Sequence, residues 1–128
     1  MIMTLKEAVE ELVDYYSDQM EPNRYVAEAW KTLKAAQLPI KPYWLHNCSD
    51  CGVKPGHPHK DNCDVERCSV CGIQRLSCNC EGHDKDFSRW TGIWPGFAES
   101  NLLGIDLNEF YSRRYHKIFF VKKGKITP

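Results

Sequence analysis

The chain has 128 residues, of which 42% are hydrophobic and 27% charged, a composition typical of one folded domain and not of a disordered chain. No apolar run approaches the ~20 residues of a membrane-spanning helix, and the first residues lack the basic leader and apolar stretch of a secretory signal, so we expect a cytoplasmic protein. The net charge is zero, but the charged side chains in residues 1–21 are mostly acidic and those in residues 111–128 are all basic. The two ends therefore pair with each other, lie in solvent, or, at the basic end, meet an anionic partner.

Residues 1–38 have the pattern of a helical hairpin. Thr4 and Glu7 have the spacing of a capping box, and apolar residues then recur at helical intervals, which predicts an amphipathic helix over residues 5 to about 19. Pro22 suits the first turn of a second helix, which must end before the two prolines of the sequence LPIKP.

Residues 43–83 contain all seven cysteines of the chain, and two copies of the pattern Cys-x-x-Cys-Gly, at 48–52 and 68–72, dominate this segment. Each copy is typical of a zinc knuckle, a tight turn that directs two thiolates at one point and in which glycine adopts a positive φ. The two pairs are separated by the roughly 15 to 20 residues that are typical of zinc sites. An odd number of cysteines in a reducing compartment also favours metal binding over disulfides. The segment therefore predicts zinc.

Three cysteines outside the knuckles need one more ligand to complete a second tetrahedral site, and His59 has a common ligand spacing to Cys63. The other histidines near the cluster remain alternatives: His46, His57 and His83. The predicted ligands are Cys48, Cys51, His59, Cys63, Cys68, Cys71, Cys78 and Cys80. Eight ligands make two closed sites, so we expect two structural zinc ions.

The sharing of these ligands between the two ions depends on the linker GIQRLS, residues 72–77. As a strand it would carry Cys78 about 23 Å from Cys71, at about 3.3 Å per residue, which would place the two thiolates on different ions. This favours an interleaved arrangement, with Cys48, Cys51, Cys68 and Cys71 on one ion and His59, Cys63, Cys78 and Cys80 on the other. A sequential arrangement is the alternative, with Cys48, Cys51, His59 and Cys63 first and Cys68, Cys71, Cys78 and Cys80 second.

The interleaved order resembles the cross-brace of RING-type zinc domains over residues 48–80, although such domains usually end in Cys-x-x-Cys where this chain has CNC. Ubiquitin-ligase activity is therefore not implied. Over residues 43–111 the chain is similar to short uncharacterised zinc-ribbon proteins of bacteria and phages, in the sequences WLHNCSDCG, CDVERCSVCG, CNC, HDKDFSRWTGIWPGFAE and LGIDLNEFY. This resemblance implies the ligand set and no activity.

Residues 84–128 begin with a tryptophan-rich loop, in which Trp90 and Trp94 either cap the zinc lobe or form an exposed anchor for a partner. Asp106 and Glu109 have capping-box spacing and predict a short helix. The sequence KIFFV, residues 117–121, predicts a strand, and a polar tail follows. We therefore expect a single α+β domain made of a helical hairpin, a two-zinc ribbon-like lobe, and a C-terminal short helix and strand.

The motifs of zinc proteases, zinc deaminases and phosphate-binding loops are absent from the sequence, and eight ligands leave no open metal position. The sequence HDKD, residues 83–86, could orient a histidine base, but support for the zinc ligands is the favoured interpretation. We expect a non-enzymatic module of adaptor or inhibitor type without a small-molecule substrate. Zero net charge and a pI near 6.9 favour a protein partner over nucleic acid.

Nucleic-acid binding through the basic C-terminus is the alternative function, and a zinc enzyme is the less favoured one. The residues that could contact a partner are Trp90, Trp94, Arg113, Arg114, Lys122 and Lys123, with Lys117 and Lys125 adding to the basic charge.

Overall fold

The structure, a computed structural model, describes residues 3–18 and 24–122. These ranges contain five α-helices and two 3-10 helices: α1 (Leu5–Asp18), α2 (Arg24–Ala35), α3 (Phe97–Leu103), α4 (Leu107–Ser112) and α5 (His116–Phe119), with 3-10 helices at Pro42–Trp44 and Arg75–Ser77. An isolated antiparallel bridge between Arg67 and Gln74 takes the place of a sheet in this part of the chain. The helical part of the expected α+β fold is therefore present, whereas the β part within the described ranges is one bridge. None of the helices found in the described ranges is long and apolar enough to span a bilayer.

The helical hairpin is present as α1 and α2, which pack against each other. The Thr4 hydroxyl accepts a hydrogen bond from the Glu7 N–H, and the Glu7 carboxylate accepts one from the Thr4 N–H, each at 3.1 Å, so the predicted capping box is formed. Apolar side chains at helical spacing close the interface between the two helices: Ala8, Val9, Leu12, Val13, Ala29 and Leu33. Pro22, which we assigned to the first turn of the second helix, lies outside the described residues.

The C-terminal helices complete this core. Asp106 caps α4 as predicted, because its side chain accepts a hydrogen bond from the Glu109 N–H at 2.8 Å. The strand predicted over residues 117–121 is wrong, since α5 occupies His116–Phe119. Ile118 and Phe119 are buried with the hairpin residues. Their β-branched and aromatic side chains favour a strand locally, but the described residues provide no neighbouring strand for pairing, and a helical turn buries them instead.

The second Cys-x-x-Cys-Gly turn packs directly against α5. Gly72 has φ +81°, and a Cβ atom built on it would lie 2.8 Å from the His116 carbonyl oxygen, so only glycine fits here. The Lys122 N–H donates a hydrogen bond to the Ser69 carbonyl at 2.9 Å, beside the same turn. The second knuckle thus attaches the cysteine-rich segment to α5.

His116 is a buried histidine at this junction. Its side chain stacks on Tyr111, with ring centroids 5.4 Å apart, and its Nδ1 atom is buried with no hydrogen-bond partner in the described part of the chain. Burial, together with the positive charges of Lys117, Arg67 and Arg114, lowers the pKa of His116 to about 4. The folded protein therefore holds this imidazole neutral.

We expect the His116→Phe variant to lose part of the pH dependence of folding. Because the pKa of His116 is lower in the folded protein than the ordinary value of 6.5, the unfolded chain binds more protons between pH 6.5 and about 4. The free energy of unfolding then falls as the pH falls through this window, by up to about 1.4 kcal/mol per pH unit. Urea denaturation at pH 7 and pH 5.5 measures the slope. Both proteins carry the same cysteine clusters, so an equal slope in the two would contradict this assignment.

Candidate metal centres

The two Cys-x-x-Cys-Gly turns adopt the same backbone conformation. In the first, the Gly52 N–H donates to the Cys48 carbonyl at 2.9 Å, and in the second the Gly72 N–H donates to the Cys68 carbonyl at 2.8 Å. The N–H of the first cysteine in turn bonds the carbonyl of the residue after the glycine in each copy. Both glycines have φ near +80°, the left-handed conformation that glycine adopts without strain. The repeated sequence therefore folds into two equivalent ligand-presenting turns.

The first turn contributes two thiols to a cluster of four ligand atoms from Cys48, Cys51, His59 and Cys63, all within 4.8 Å of one another. The Cys48 and Cys63 Sγ atoms are 3.6 Å apart, and the His59 Nδ1 atom lies 3.4 Å from Cys51 Sγ and 3.3 Å from Cys63 Sγ. Sulfur atoms at about 2.3 Å from one tetrahedral zinc ion lie about 3.8 Å from one another, whereas a disulfide brings them to about 2.05 Å. The spacing is that of ligands around an ion. We call this the histidine-containing cluster.

The second turn contributes two thiols to a cluster made of Cys68, Cys71, Cys78 and Cys80, whose sulfur atoms also lie within 4.8 Å of one another. A guanidinium group accompanies this set of four sulfurs, because Arg75 donates hydrogen bonds from Nη1 to Cys78 Sγ at 3.3 Å and to the Cys80 carbonyl at 2.9 Å. Four thiolates around a divalent cation leave a net charge of −2, which a neighbouring cation offsets. We call this the all-cysteine cluster.

The interleaved pairing of ligands that we favoured from the sequence is wrong, because the clusters are sequential along the chain. The linker of residues 72–77 is not a strand. It turns back at the 3-10 helix Arg75–Ser77, and the Arg75 N–H bonds the Glu66 carbonyl at 2.8 Å. This turn returns Cys78 to Cys71 and removes the basis of the cross-brace order.

Each cluster contains a thiol whose pKa is lowered to about 6. For Cys51, burial opposes ionisation, and hydrogen bonds from the backbone at Lys60 and Val53 outweigh it. For Cys78, a backbone hydrogen bond at Cys80 is the main cause, and the Arg75 side chain adds to it. A metal cation binds the thiolate form, so each cluster offers a first ligand at neutral pH.

His59 supplies the imidazole, and the other three candidate histidines lie elsewhere. His59 is 4% exposed, whereas His46 and His57 are exposed on the surface. Trp90 packs edge-on against the His59 ring at 5.8 Å between centroids and donates its indole N–H to the His46 carbonyl at 2.7 Å. Trp90 is 2% exposed, so it caps the histidine-containing cluster and cannot be the exposed anchor that the sequence left open as an alternative.

His83 supports the all-cysteine cluster without joining it. Its Nδ1 atom accepts a hydrogen bond from the Ser69 N–H at 3.0 Å, which places the ring proton on Nε2, 2.5 Å from the Glu66 carboxylate. Ser69 lies between the two cysteines of the second knuckle, and the Glu66 side chain is only 3% exposed. Lys85 approaches the other Glu66 oxygen at 3.4 Å. One polar network thus joins three parts of the chain: the residues before the second knuckle, the knuckle itself and the residues after Cys80.

Two of the basic residues that we considered for nucleic-acid binding, Arg113 and Lys122, are engaged with carboxylates. Arg113 lies 2.9 Å from Glu109 and 3.5 Å from Glu10 of α1, and Lys122 lies 3.0 Å from Asp84. The acidic and basic ends of the chain therefore meet at Arg113. Arg114 is exposed, and Lys123 lies outside the described residues.

Trp94 differs from Trp90 in being 40% exposed. The Arg67 guanidinium lies over its ring, 5.5 Å from the centroid. Trp94 therefore remains a candidate for contact with a partner.

Sequence reasoning missed Arg75 and Arg67. An arginine between two cysteine pairs was the available signal for Arg75, because guanidinium groups pair with thiolate clusters. No pattern in the sequence indicates that Arg67 would lie between two aromatic rings.

Comparison with protein families, with characterised proteins and with solved structures finds no match to this chain. The resemblance to zinc-ribbon proteins over residues 43–111 therefore stays a prediction.

Proposed function

We propose that this chain is a non-enzymatic interaction module that two structural zinc ions hold in shape and that binds a protein partner. The observation that carries the proposal is the pair of four-ligand clusters, one with three thiols and an imidazole and one with four thiols. Thiolate and imidazole ligands in a closed tetrahedron are typical of structural zinc, whereas catalytic zinc keeps one position open for water. Eight ligands for two ions leave no such position.

The surroundings of His83 support a non-enzymatic role. His83 lines a polar cleft of about 590 Å³ between the two clusters, where a catalytic base could act. Both of its ring nitrogens are occupied, one by Ser69 and one by Glu66. A general base must be able to reach the proton it removes, so this arrangement favours a structural role for His83.

Two surface features favour a protein partner over nucleic acid. The carboxylates of Glu109 and Asp84 neutralise Arg113 and Lys122, which reduces the positive charge available to phosphates. Large apolar side chains are exposed close to the end of the tryptophan-rich loop, with Trp94 and Phe97 both at 40%. Exposed aromatic groups are enriched among the residues that anchor protein interfaces.

The proposal is tested by capture of partners on immobilised protein. We expect a captured protein whose affinity falls by about 30-fold in the Trp94→Ala variant, the equivalent of about 2 kcal/mol for an interface anchor. Leu76→Ala is the matched control, since Leu76 is 49% exposed and lies in the 3-10 helix Arg75–Ser77, outside the tryptophan-rich loop. Elemental analysis should give two zinc ions per chain in both variants.

A nucleic-acid partner would give a different and equally specific result. If the captured material is DNA or RNA, its affinity should fall with salt at a log–log slope near −0.9 per phosphate contact for duplex DNA, and the combined Arg113→Ala, Arg114→Ala and Lys122→Ala variant should flatten that slope. Such a dependence, with Trp94→Ala unchanged, would overturn the proposal in favour of nucleic-acid binding.

A further inference from the structure

The all-cysteine cluster exposes more of its thiols than the histidine-containing cluster does. Three of its four cysteines are partly exposed: Cys71, Cys78 and Cys80. In the histidine-containing cluster only Cys51 is partly exposed, and the other three ligands are at most 4% exposed. A small polar reagent can therefore reach the sulfur atoms of the all-cysteine cluster more readily, and accessible thiolates are the ones that react.

Trp90 accounts for the protection of the histidine-containing cluster. It forms a small buried core with Cys48, Cys63 and Val65, and Cys51 packs against that core. All three thiols of this cluster therefore contact apolar groups. Thiols that are buried in apolar surroundings are chemically inert compared with exposed ones.

Cys78 lies on the accessible side of its cluster, beside a guanidinium group. It lines the polar cleft of about 590 Å³ together with Arg75 and Lys85, whereas Cys63, which lines the same cleft, is only 3% exposed. Arg75 donates a hydrogen bond from Nη1 to the Cys78 Sγ atom at 3.3 Å and another to the Cys80 carbonyl at 2.9 Å. The two bonds fix the guanidinium next to a sulfur atom that a reagent in the cleft can approach.

A fixed positive charge at this position favours the reaction of the thiolate with a peroxide. When a thiolate attacks one peroxide oxygen, hydroxide leaves with the other, so negative charge moves from the sulfur to the leaving oxygen. A guanidinium carries five N–H donors in one plane. Arg75 can therefore bind the sulfur through Nη1 and stabilise the leaving hydroxide through another nitrogen.

We propose that Cys78 is a peroxide-sensitive modification site, and that its oxidation releases the ion of the all-cysteine cluster while the histidine-containing cluster keeps its ion. The Cys78 thiolate takes an OH group from hydrogen peroxide and becomes a sulfenic acid, and hydroxide leaves. The thiolate of Cys71 or Cys80, each within 4.8 Å of Cys78 Sγ, then attacks the Cys78 sulfur. A disulfide forms and a second hydroxide leaves. The two sulfurs have passed two electrons to the peroxide oxygens, and two of the four metal ligands are lost.

Oxidation at this site also bears on the proposed partner surface. Cys68 of the same cluster directly follows Arg67, whose guanidinium lies 5.5 Å from the centroid of the Trp94 ring. Loss of the ion removes a constraint on this part of the chain, so we expect the oxidised protein to capture its partner more weakly. This step rests on the proposed function, whereas the oxidation of Cys78 and the release of the ion do not.

The test uses the intact protein, loaded with two zinc ions, and hydrogen peroxide. Native mass spectrometry follows the number of bound ions as the reaction proceeds. We expect the first ion to leave at least about tenfold faster than the second, because only one cluster exposes its thiols. Dithiothreitol with added zinc should restore the ion, since a disulfide is reversible by thiol exchange.

Peptide mass spectrometry identifies the cysteines that react. Trypsin cleaves after Arg75 and so separates the cysteines of the second knuckle from Cys78 and Cys80. A disulfide from Cys78 to Cys71 then joins two fragments, and one from Cys78 to Cys80 lies within a single fragment. Either disulfide is the expected result, with the cysteines of the histidine-containing cluster still reduced.

Variants of Arg75 test its part in the reaction. Arg75→Gln should slow the release of the first ion by about tenfold, and Arg75→Lys, which keeps the positive charge, should recover part of the rate. A merely structural role predicts the opposite change, because loss of the bond to Cys80 would loosen the cluster and speed release. Arg113→Gln is the matched control, since Arg113 pairs with Glu109 in α4, and it should react as the wild type does.

Three outcomes would overturn the inference: release of both ions at the same rate, a disulfide that does not include Cys78, or release from Arg75→Gln at or above the rate of the wild type. If Arg75→Gln fails to bind two ions, the ion counts and the disulfide of the wild-type protein still decide the matter. None of these measurements needs a partner, so they are separable from the proposed function. Capture of nucleic acid would overturn the proposed function whatever the peroxide result.

Discussion

Paired substitutions of the cysteines are expected to show that each metal ion is held by consecutive ligands. The Cys51→Ser/Cys63→Ser variant removes two ligands of the histidine-containing cluster and should leave the all-cysteine cluster able to bind one ion. The Cys51→Ser/Cys71→Ser variant removes one ligand from each cluster and should weaken both. Native mass spectrometry of the zinc-loaded proteins counts the ions, with two expected for the wild type.

The interleaved order predicts the reverse for these two variants, so the pair distinguishes the arrangements without a structure. Ser49→Ala, beside Cys48 in the first knuckle, is the control and should retain both ions. An ion count of two in the Cys51→Ser/Cys63→Ser variant would contradict the ligand assignment altogether.

The energetic effect of losing an ion should be large. Structural zinc contributes roughly 10 to 16 kcal/mol of apparent binding free energy in zinc-finger peptides, which is comparable to the whole stability of a domain, at about 5 to 15 kcal/mol. We therefore expect chelation to unfold residues 43–95. The hairpin of α1 and α2 has its own apolar core, so helical circular dichroism should decrease less than the aromatic signal does.

Trp90→Ala is expected to lower the free energy of unfolding by about 3 to 5 kcal/mol at saturating zinc, the range for removing a large buried aromatic side chain. Trp90 is the largest member of the small core that it forms with Cys48, Cys63 and Val65. Its loss also leaves the His46 carbonyl without the indole donor. Urea denaturation measures the change.

Trp94→Ala is the matched control for this prediction. Because Trp94 is 40% exposed and Trp90 is 2% exposed, truncation of Trp94 should cost less than half as much stability. Equal losses would contradict the assignment of Trp90 to the core and of Trp94 to the surface.

The features that could be predicted from the sequence are those that neighbouring residues determine. The capping box at Thr4 and the N-cap of α4 at Asp106 form because their partners lie three residues away. The knuckles form because Cys-x-x-Cys-Gly closes a turn within five residues. Spacing to Cys63 was also sufficient to select His59 among the histidines of the segment, and the structure groups the same eight residues that the spacing predicts.

Features that depend on distant contacts were not predictable in this way. Residues 73–77 contain no glycine or proline and have the local pattern of a strand. The Arg75 N–H, however, donates a hydrogen bond to the Glu66 carbonyl and supports a turn. This turn decides which ligands share an ion. The sequence KIFFV has strand composition, but burial against the hairpin makes it α5. Trp90 and Trp94 stand in the same loop, and only the packing of the loop on His59 buries one and exposes the other.

The same reason accounts for Arg67, whereas Arg75 contacts a thiol only three residues away, which the local sequence could have indicated. Arg75 acquires its role from the thiolate of Cys78, and Arg67 acquires its role from the rings of Trp94 and Tyr111, which lie far from it along the chain. The sequence by itself determined the ligand types, the turns that present them and the starts of α1 and α4, because these depend on a few neighbouring residues. The tertiary structure decided which ligands share an ion and which tryptophan is buried, because each of these needs surfaces that meet only when the chain is folded.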